Sequence, residues 1–153
     1  MERKEHIFSA KEFVKFDGGH FGKIEQMVAQ NIQQVIFEVT ETCNLRCKYC
    51  IYQDNNDGFR NFGKNYLEIK KAYKVLDYIF ANSYSDELYI GFYGGEPLLN
   101  MDFIRCCVEY SQKNSQKKKI SYSLTTNGTL ITRELAEYFA GIPDFNVRGI
   151  RSM

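Results

Sequence analysis

Long hydrophobic runs are missing from this chain. No stretch approaches the roughly 20 apolar residues of a membrane-spanning helix, so no transmembrane segment is expected. The charged opening from Met1 to His6 leads into no apolar segment of signal-peptide type, and a cytoplasmic location is the resulting expectation. An excess of charge is absent too: 20 Lys and Arg face 19 Asp and Glu, for a formal net charge of +1. That balance gives no electrostatic reason to expect nucleic acid or a membrane surface as a partner. The single basic run, Lys117-Lys118-Lys119, lies between a helical and a strand pattern and reads as a solvated loop. Internal repeats and low-complexity linkers are lacking as well.

What is there suits one soluble domain with a real core: 153 residues, 44% hydrophobic and 25% charged. Five cysteines in a chain of cytoplasmic type point to metal or redox chemistry before disulfides.

The opening segment is an irregular preface, with a strand or hairpin arm from Ile7 to Phe16 and a short helix from Phe21 to Gln30. The pattern sharpens at Gln33. Val35, Ile36, Phe37 and Val39 predict a buried strand ending near Thr40, and the cysteine-bearing loop follows directly. Asp54 to Lys64, rich in Asn, Asp and Gly, reads as a loop. Ala72, Val75, Leu76, Ile79 and Phe80 recur at helical spacing and predict an amphipathic helix from about Leu67 to Ala81. A second strand contains Leu88, Ile90 and Phe92. Asn100 is placed to cap a helix that buries Phe103, Ile104, Cys107 and Val108. A third strand contains Ile120, Tyr122 and Leu124. Thr132 is placed to cap a helix with Leu135, Ala136 and Phe139 inside and Gly141 as its stop; a fourth strand begins at Phe145. Strands alternating with helices mean βαβ units, a parallel sheet and an α/β fold. The loops after the strand ends then share one edge, where such sheets bind ligands.

Three cysteines follow the first strand in the segment Thr40-Glu41-Thr42-Cys43-Asn44-Leu45-Arg46-Cys47-Lys48-Tyr49-Cys50, with spacing C-x3-C-x2-C. Three thiolates can hold three irons of a [4Fe–4S] cubane and leave the fourth without a protein ligand, open for chemistry. The same spacing would place Cys43, Cys47 and Cys50 on one face of a buried helix, as small apolar residues. Asn44, Arg46 and Lys48 suit a solvated loop better. A zinc site is a further alternative, with His6, His20 or Cys106 as fourth ligand, although none lies at the close paired spacing usual for zinc. Cys107 reads as a small buried hydrophobe and Cys106 as its partly exposed neighbour.

The cysteine motif with an aromatic before its last cysteine, Gly94-Gly95-Glu96-Pro97 after strand two and Thr126-Asn127-Gly128-Thr129 after strand three together resemble the radical S-adenosylmethionine superfamily. The likeness runs from about Gln33 to Gly141. It implies the N-terminal half of a partial (β/α)6 TIM-like barrel, three βα units long, with residues 1–32 as an extension and 33–153 as a shortened core domain. It implies a [4Fe–4S] cluster on Cys43, Cys47 and Cys50, with S-adenosylmethionine on the open iron. Reductive cleavage of S-adenosylmethionine would then release a 5′-deoxyadenosyl radical that abstracts hydrogen from substrate, with a flavodoxin or ferredoxin as electron donor. Tyr49 would lie against the adenine end, Gly94, Gly95 and Glu96 would meet the methionyl ammonium, and Asn127 would lie near cofactor or substrate.

The residue chemistry of the second motif is consistent with that part. Two glycines let main chain approach a ligand closely, Pro97 stiffens the exit, and carbonyls or a carboxylate can accept from an ammonium. Gly-Gly-x-Pro would also make a plain turn, as would Asn127-Gly128. The wording Phe92-Tyr93-Gly94-Gly95-Glu96-Pro97-Leu98-Leu99 resembles the branch of anaerobic sulfatase and ribosomal-peptide maturases, whose substrates are peptide or protein side chains. Many of that branch carry an auxiliary-cluster domain called SPASM. The chain departs from the family pattern in being short, and after Phe145-Asn146-Val147 it runs to Arg148-Gly149-Ile150 where a Ser-x-Asp-Gly type turn is usual. The expectation is a truncated product, with the third strand left as a sheet edge. Two functional readings follow: the N-terminal part of a peptide-modifying radical enzyme, or an iron–sulfur-binding fragment without turnover of its own.

Overall fold

The computed structural model describes residues 21–52 and 61–150. The expected arm from Ile7 to Phe16, both histidines, most of the Asp54 to Lys64 loop and residues 151–153 lie outside them. Helix α1 (Ile24–Gln30) follows a 3-10 turn at Phe21–Lys23. Then come β1 (Gln34–Thr40), α2 (Ile69–Asn82), β2 (Glu87–Gly94), a 3-10 turn at Pro97–Asn100, α3 (Met101–Asn114), β3 (Lys119–Thr126), α4 (Arg133–Ala140) and β4 (Phe145–Gly149). The strands form one parallel sheet in the order β1-β2-β3-β4.

Register explains the core. Phe37, Phe92, Leu124 and Val147 face one another across the four strands. On that side of the sheet Phe37, Phe92 and Leu124 pack against Ala72, Leu76, Ile79 and Phe80 of α2, Phe103, Ile104, Cys107 and Val108 of α3, and Phe139 of α4, while Val147 stays exposed. The next register row, Ile36, Gly91, Ser123 and Asn146, belongs to the opposite face. There Ile36 is 59% exposed, in the wall of a cavity of about 490 Å³ shared with Glu38, Tyr93, Thr125 and Arg148.

Several local expectations are corrected. The third strand is not an edge, because β4 pairs with it from Tyr122↔Phe145 to Thr126↔Gly149. Phe145 anchors this strand by stacking on Tyr122 and packing on Phe139, with ring centroids 5.5 and 4.7 Å away. Ala136 and Val75 are exposed, since the short contact stripes of α4 and α2 pass beside them. Asn100 occupies the N-cap position of α3 but its amide donates to the Val39 carbonyl at 3.5 Å instead of capping. Thr132 does cap α4, accepting the Leu135 N–H at 3.3 Å. Gly141 ends α4 with φ −79°, so the stop uses no left-handed residue. Lys118 is not simply solvated: its ammonium donates to the carbonyls of Ser83 and Ser85, at 2.7 and 2.5 Å.

Candidate functional site

The parallel sheet delivers three loops to one edge, after Thr40, Gly94 and Thr126. Backbone bonds clamp the first two together. The N–H of Gly95 donates to Thr40 O at 2.7 Å, and that of Glu96 to Thr42 O at 2.8 Å. The glycines permit this approach. A Cβ on Gly94 would lie 2.4 Å from Thr40 O, and one on Gly95 would lie 2.2 Å from Thr42 O. Gly94 also has φ +134°, which side-chain-bearing residues rarely adopt.

The cysteine segment is an irregular loop and not a buried helix, which removes the apolar-stripe alternative. It is folded on itself by the Cys50 N–H to Cys47 O bond of 3.0 Å. Arg46 braces it, donating to the carbonyls of Cys43 and Leu45 at 2.7 and 2.8 Å while its guanidinium lies 3.9 Å over the Phe62 ring. Cys43, Cys47 and Cys50 are each half-buried and line one cavity of about 250 Å³. Across it stand the main chain of Gly94 and Gly95, with Thr125, Thr126 and Asn127 from the end of β3. Tyr49 lines it as well and is 56% exposed. Desolvation, with a hydrogen bond to Cys47, pushes its hydroxyl above the ordinary phenol range.

Glu96 is placed differently from the sequence expectation. It is fully buried and absent from the cavity wall. Its Oε1 accepts the Leu98 N–H at 3.0 Å and the Thr126 O–H at 2.7 Å, and its Oε2 accepts the Asn127 N–H at 2.8 Å. The carboxylate therefore ties the second loop to the third from behind the cavity. The side chain of Asn127 reaches the other way. Its Nδ2 donates to Asn44 Oδ1 at 2.9 Å and toward Cys43 Sγ at 3.8 Å, while its Oδ1 accepts the N–H and O–H of Thr129 at 3.0 and 2.7 Å.

Sequence reasoning missed Tyr52, Tyr93 and Ile150 in this wall. Tyr52 is buried, its hydroxyl donating to Glu38 Oε1 at 2.5 Å. The position of Tyr93 beside the double glycine was the available signal; Tyr52 and Ile150 carried none. Cys106 and Cys107 sit on α3 outside the cavity wall, so Cys106 does not join the other three thiols. Burial, with the neighbouring Cys106 thiol, pushes Cys107 up to about 12.

The donor set fits an iron–sulfur cluster. Soft thiols on one wall are the ligands of such clusters. Among the described residues no group of three His, Cys, Asp or Glu is drawn together around a single ion. None of the described helices is long and apolar enough to cross a membrane.

Residues 37–148 match the Radical SAM superfamily. The radical SAM cyclopropyl synthase TigE of Paramaledivibacter caminithermalis is 34% identical over 133 residues, covering 80% of this chain and 27% of that protein. A cysteine-type anaerobic sulfatase-maturating enzyme of Clostridium novyi is 34% identical over 119 residues, covering 72% of this chain and 30% of that one. The solved structure of native anSMEcpe with bound AdoMet and Cp18Cys peptide superposes with a TM-score of 0.61 at 26% identity, over 77% of this chain and 30% of that one. The chain thus spans under a third of the length of these relatives.

Proposed function

Because this chain belongs to the radical SAM superfamily, we propose that it is the cluster- and S-adenosylmethionine-binding part of an enzyme that modifies a peptide or protein side chain. The observation that carries the reading is the placement of three cysteine thiols opposite the Gly94-Gly95 main chain, on one cavity at the ligand-binding edge of the sheet. Cys43, Cys47 and Cys50 would hold three irons of a [4Fe–4S] cluster. Bound there, the cluster would supply the electron that cleaves S-adenosylmethionine to a 5′-deoxyadenosyl radical.

The chain's own residues do the rest by position. Main-chain carbonyls at Gly94 and Gly95 would offer acceptors to an ammonium, on a loop that the missing Cβ atoms let close against Thr40 and Thr42. Tyr49, partly exposed on the wall, offers a ring face to adenine. Glu96 ties the second loop to the third from behind the cavity and is a positioning residue. The peptide substrate is favoured by the maturase relatives and by the peptide held in the anSMEcpe structure. A flavodoxin or ferredoxin is the class of electron donor the reading needs. Residues 33–153 would form the core domain, with residues 1–32 as an extension to it.

Anaerobic reconstitution tests this. About four irons and four sulfides should bind. Cys47→Ala should lose the broad visible absorption while Cys106→Ala and Cys107→Ala keep it. S-adenosylmethionine should perturb the electron paramagnetic resonance spectrum of the reduced cluster. A full cluster in Cys47→Ala would overturn the assignment.

A second reading, an iron–sulfur-binding chain without turnover of its own, is favoured by the open face of the sheet, where Ile36 stands exposed. A radical must be shielded and held close to its target. The measurement is 5′-deoxyadenosine released by the 153-residue chain, beside a chain lengthened by a relative's C-terminal half. Multiple turnovers by the shorter chain would refute this second reading.

A further inference from the structure

Asn127 is oriented far more tightly than an Asn-Gly turn requires. Its backbone N–H is held by buried Glu96. Its Oδ1 is addressed by two donors of Thr129, which fixes which end of the amide is oxygen. Thr129 Oγ1 in turn accepts from Asn44 Nδ2 at 2.8 Å, and Asn44 Oδ1 accepts from Asn127 Nδ2 at 2.9 Å. The three side chains close a ring of hydrogen bonds. One amide proton of Asn127 is spent inside the ring. The other is left toward Cys43 Sγ, 3.8 Å away, a sulfur that already receives the Leu45 N–H at 3.4 Å.

We propose that Asn127 is a positioning residue that donates a hydrogen bond to the Cys43 thiolate and raises the reduction potential of the cluster, with Asn44 and Thr129 holding its amide in place. This rests on the cluster reading above. The physical reason is that a thiolate ligand gains negative charge when the cluster is reduced, and an N–H aimed at it stabilises the reduced form more than the oxidised one. A purely structural turn would leave the potential untouched. The ring also couples the cysteine loop to the end of β3, so the third strand's loop acts on the electron as well as on the shape of the cavity.

The test is a redox titration of the anaerobically reconstituted 153-residue chain, followed by electron paramagnetic resonance. Asn127→Ala should shift the midpoint to more negative potential. Asn127→Asp should shift it further, since it removes the donor and adds a negative charge. Thr129→Val, which releases the Asn127 amide without removing it, should give a smaller shift of the same sign. A parent chain that takes up no iron overturns the cluster reading and this proposal with it. A parent with a full cluster, and Asn127→Ala with a full cluster at the parent's potential, overturns this proposal alone. If Asn127→Ala fails to hold iron, Thr129→Val decides: a potential equal to the parent's overturns the proposal, and a negative shift supports it.

Discussion

The buried carboxylate of Glu96 accepts the backbone N–H of Asn127 at 2.8 Å, across 31 residues of chain. One anion thereby serves two loops, because the same group also accepts the Thr126 hydroxyl and the Leu98 N–H. No sequence-local signal announces such a bond. Its partners are brought together only by the pairing of β2 with β3.

Removing that carboxylate should be costly. Glu96→Ala strands the Leu98 N–H and the Thr126 hydroxyl in a buried place and the Asn127 N–H in a half-buried one, for a loss of about 3 kcal/mol. Glu96→Gln keeps the shape but turns an NH2 toward donors, for about 1–2 kcal/mol. Urea unfolding of the iron-free chain measures both. Two variants within about 0.5 kcal/mol of the parent would remove Glu96 from its bracing role.

The glycines should separate by what surrounds them. Gly95→Ala drives a Cβ to 2.2 Å from the Thr42 carbonyl and should cost about 1–3 kcal/mol in packing strain. Gly128 has φ +77° but nothing within 4 Å of a Cβ, so Gly128→Ala should cost only the backbone penalty, about 1 kcal/mol. The ordering of the two unfolding midpoints is the result to check. An equal loss at both would mean that the contact of the second loop with Thr42 is slack.

Alkaline pH should weaken the fold. Burial pushes the Cys107 thiol up to about 12, and burial also raises the Tyr122 hydroxyl. An unfolded thiol releases its proton near pH 8.5 while the folded one keeps it. Stability is therefore full below that pH and falls as pH rises toward about 12. Urea midpoints of the reduced, iron-free chain between pH 8 and 10.5 should decline, and Cys107→Ala should decline less steeply. A flat profile in the parent would contradict the burial of this thiol.

Thr132→Ala removes the oxygen that accepts the Leu135 N–H and should cost about 1 kcal/mol, while Thr132→Ser should recover most of it. Thermal unfolding followed by circular dichroism separates the two.

Much of this architecture is legible in the chain because its signals are local. The helical spacing of Leu76, Ile79 and Phe80 and the alternation Leu88, Ile90, Phe92 put each strand and helix within a few residues of its observed bounds. The motif loops could be placed on one edge because a parallel sheet leaves little choice. The length of β4 was harder to read, since only Phe145 of its five residues is partly buried and the rest pair through backbone. At the site, seven of the eight expected residues line the cavity, Glu96 being the exception. Its chemistry suggested a ligand for an ammonium. Whether a carboxylate faces a cavity or its own chain depends on contacts 30 residues away.

Strand order that follows chain order has a consequence for biogenesis. Each strand, on leaving the ribosome, finds its hydrogen-bonding neighbour already made, so β1 and β2 can pair before β3 exists. Among the described residues no strand waits for a distant partner to complete its ladder. The first strand's outer flank is bridged near its end by Tyr66, pairing with Thr40. Among the described residues β4 ends the sheet, and its exposed stretch from Asn146 to Gly149 is an edge of the kind to which another strand can add.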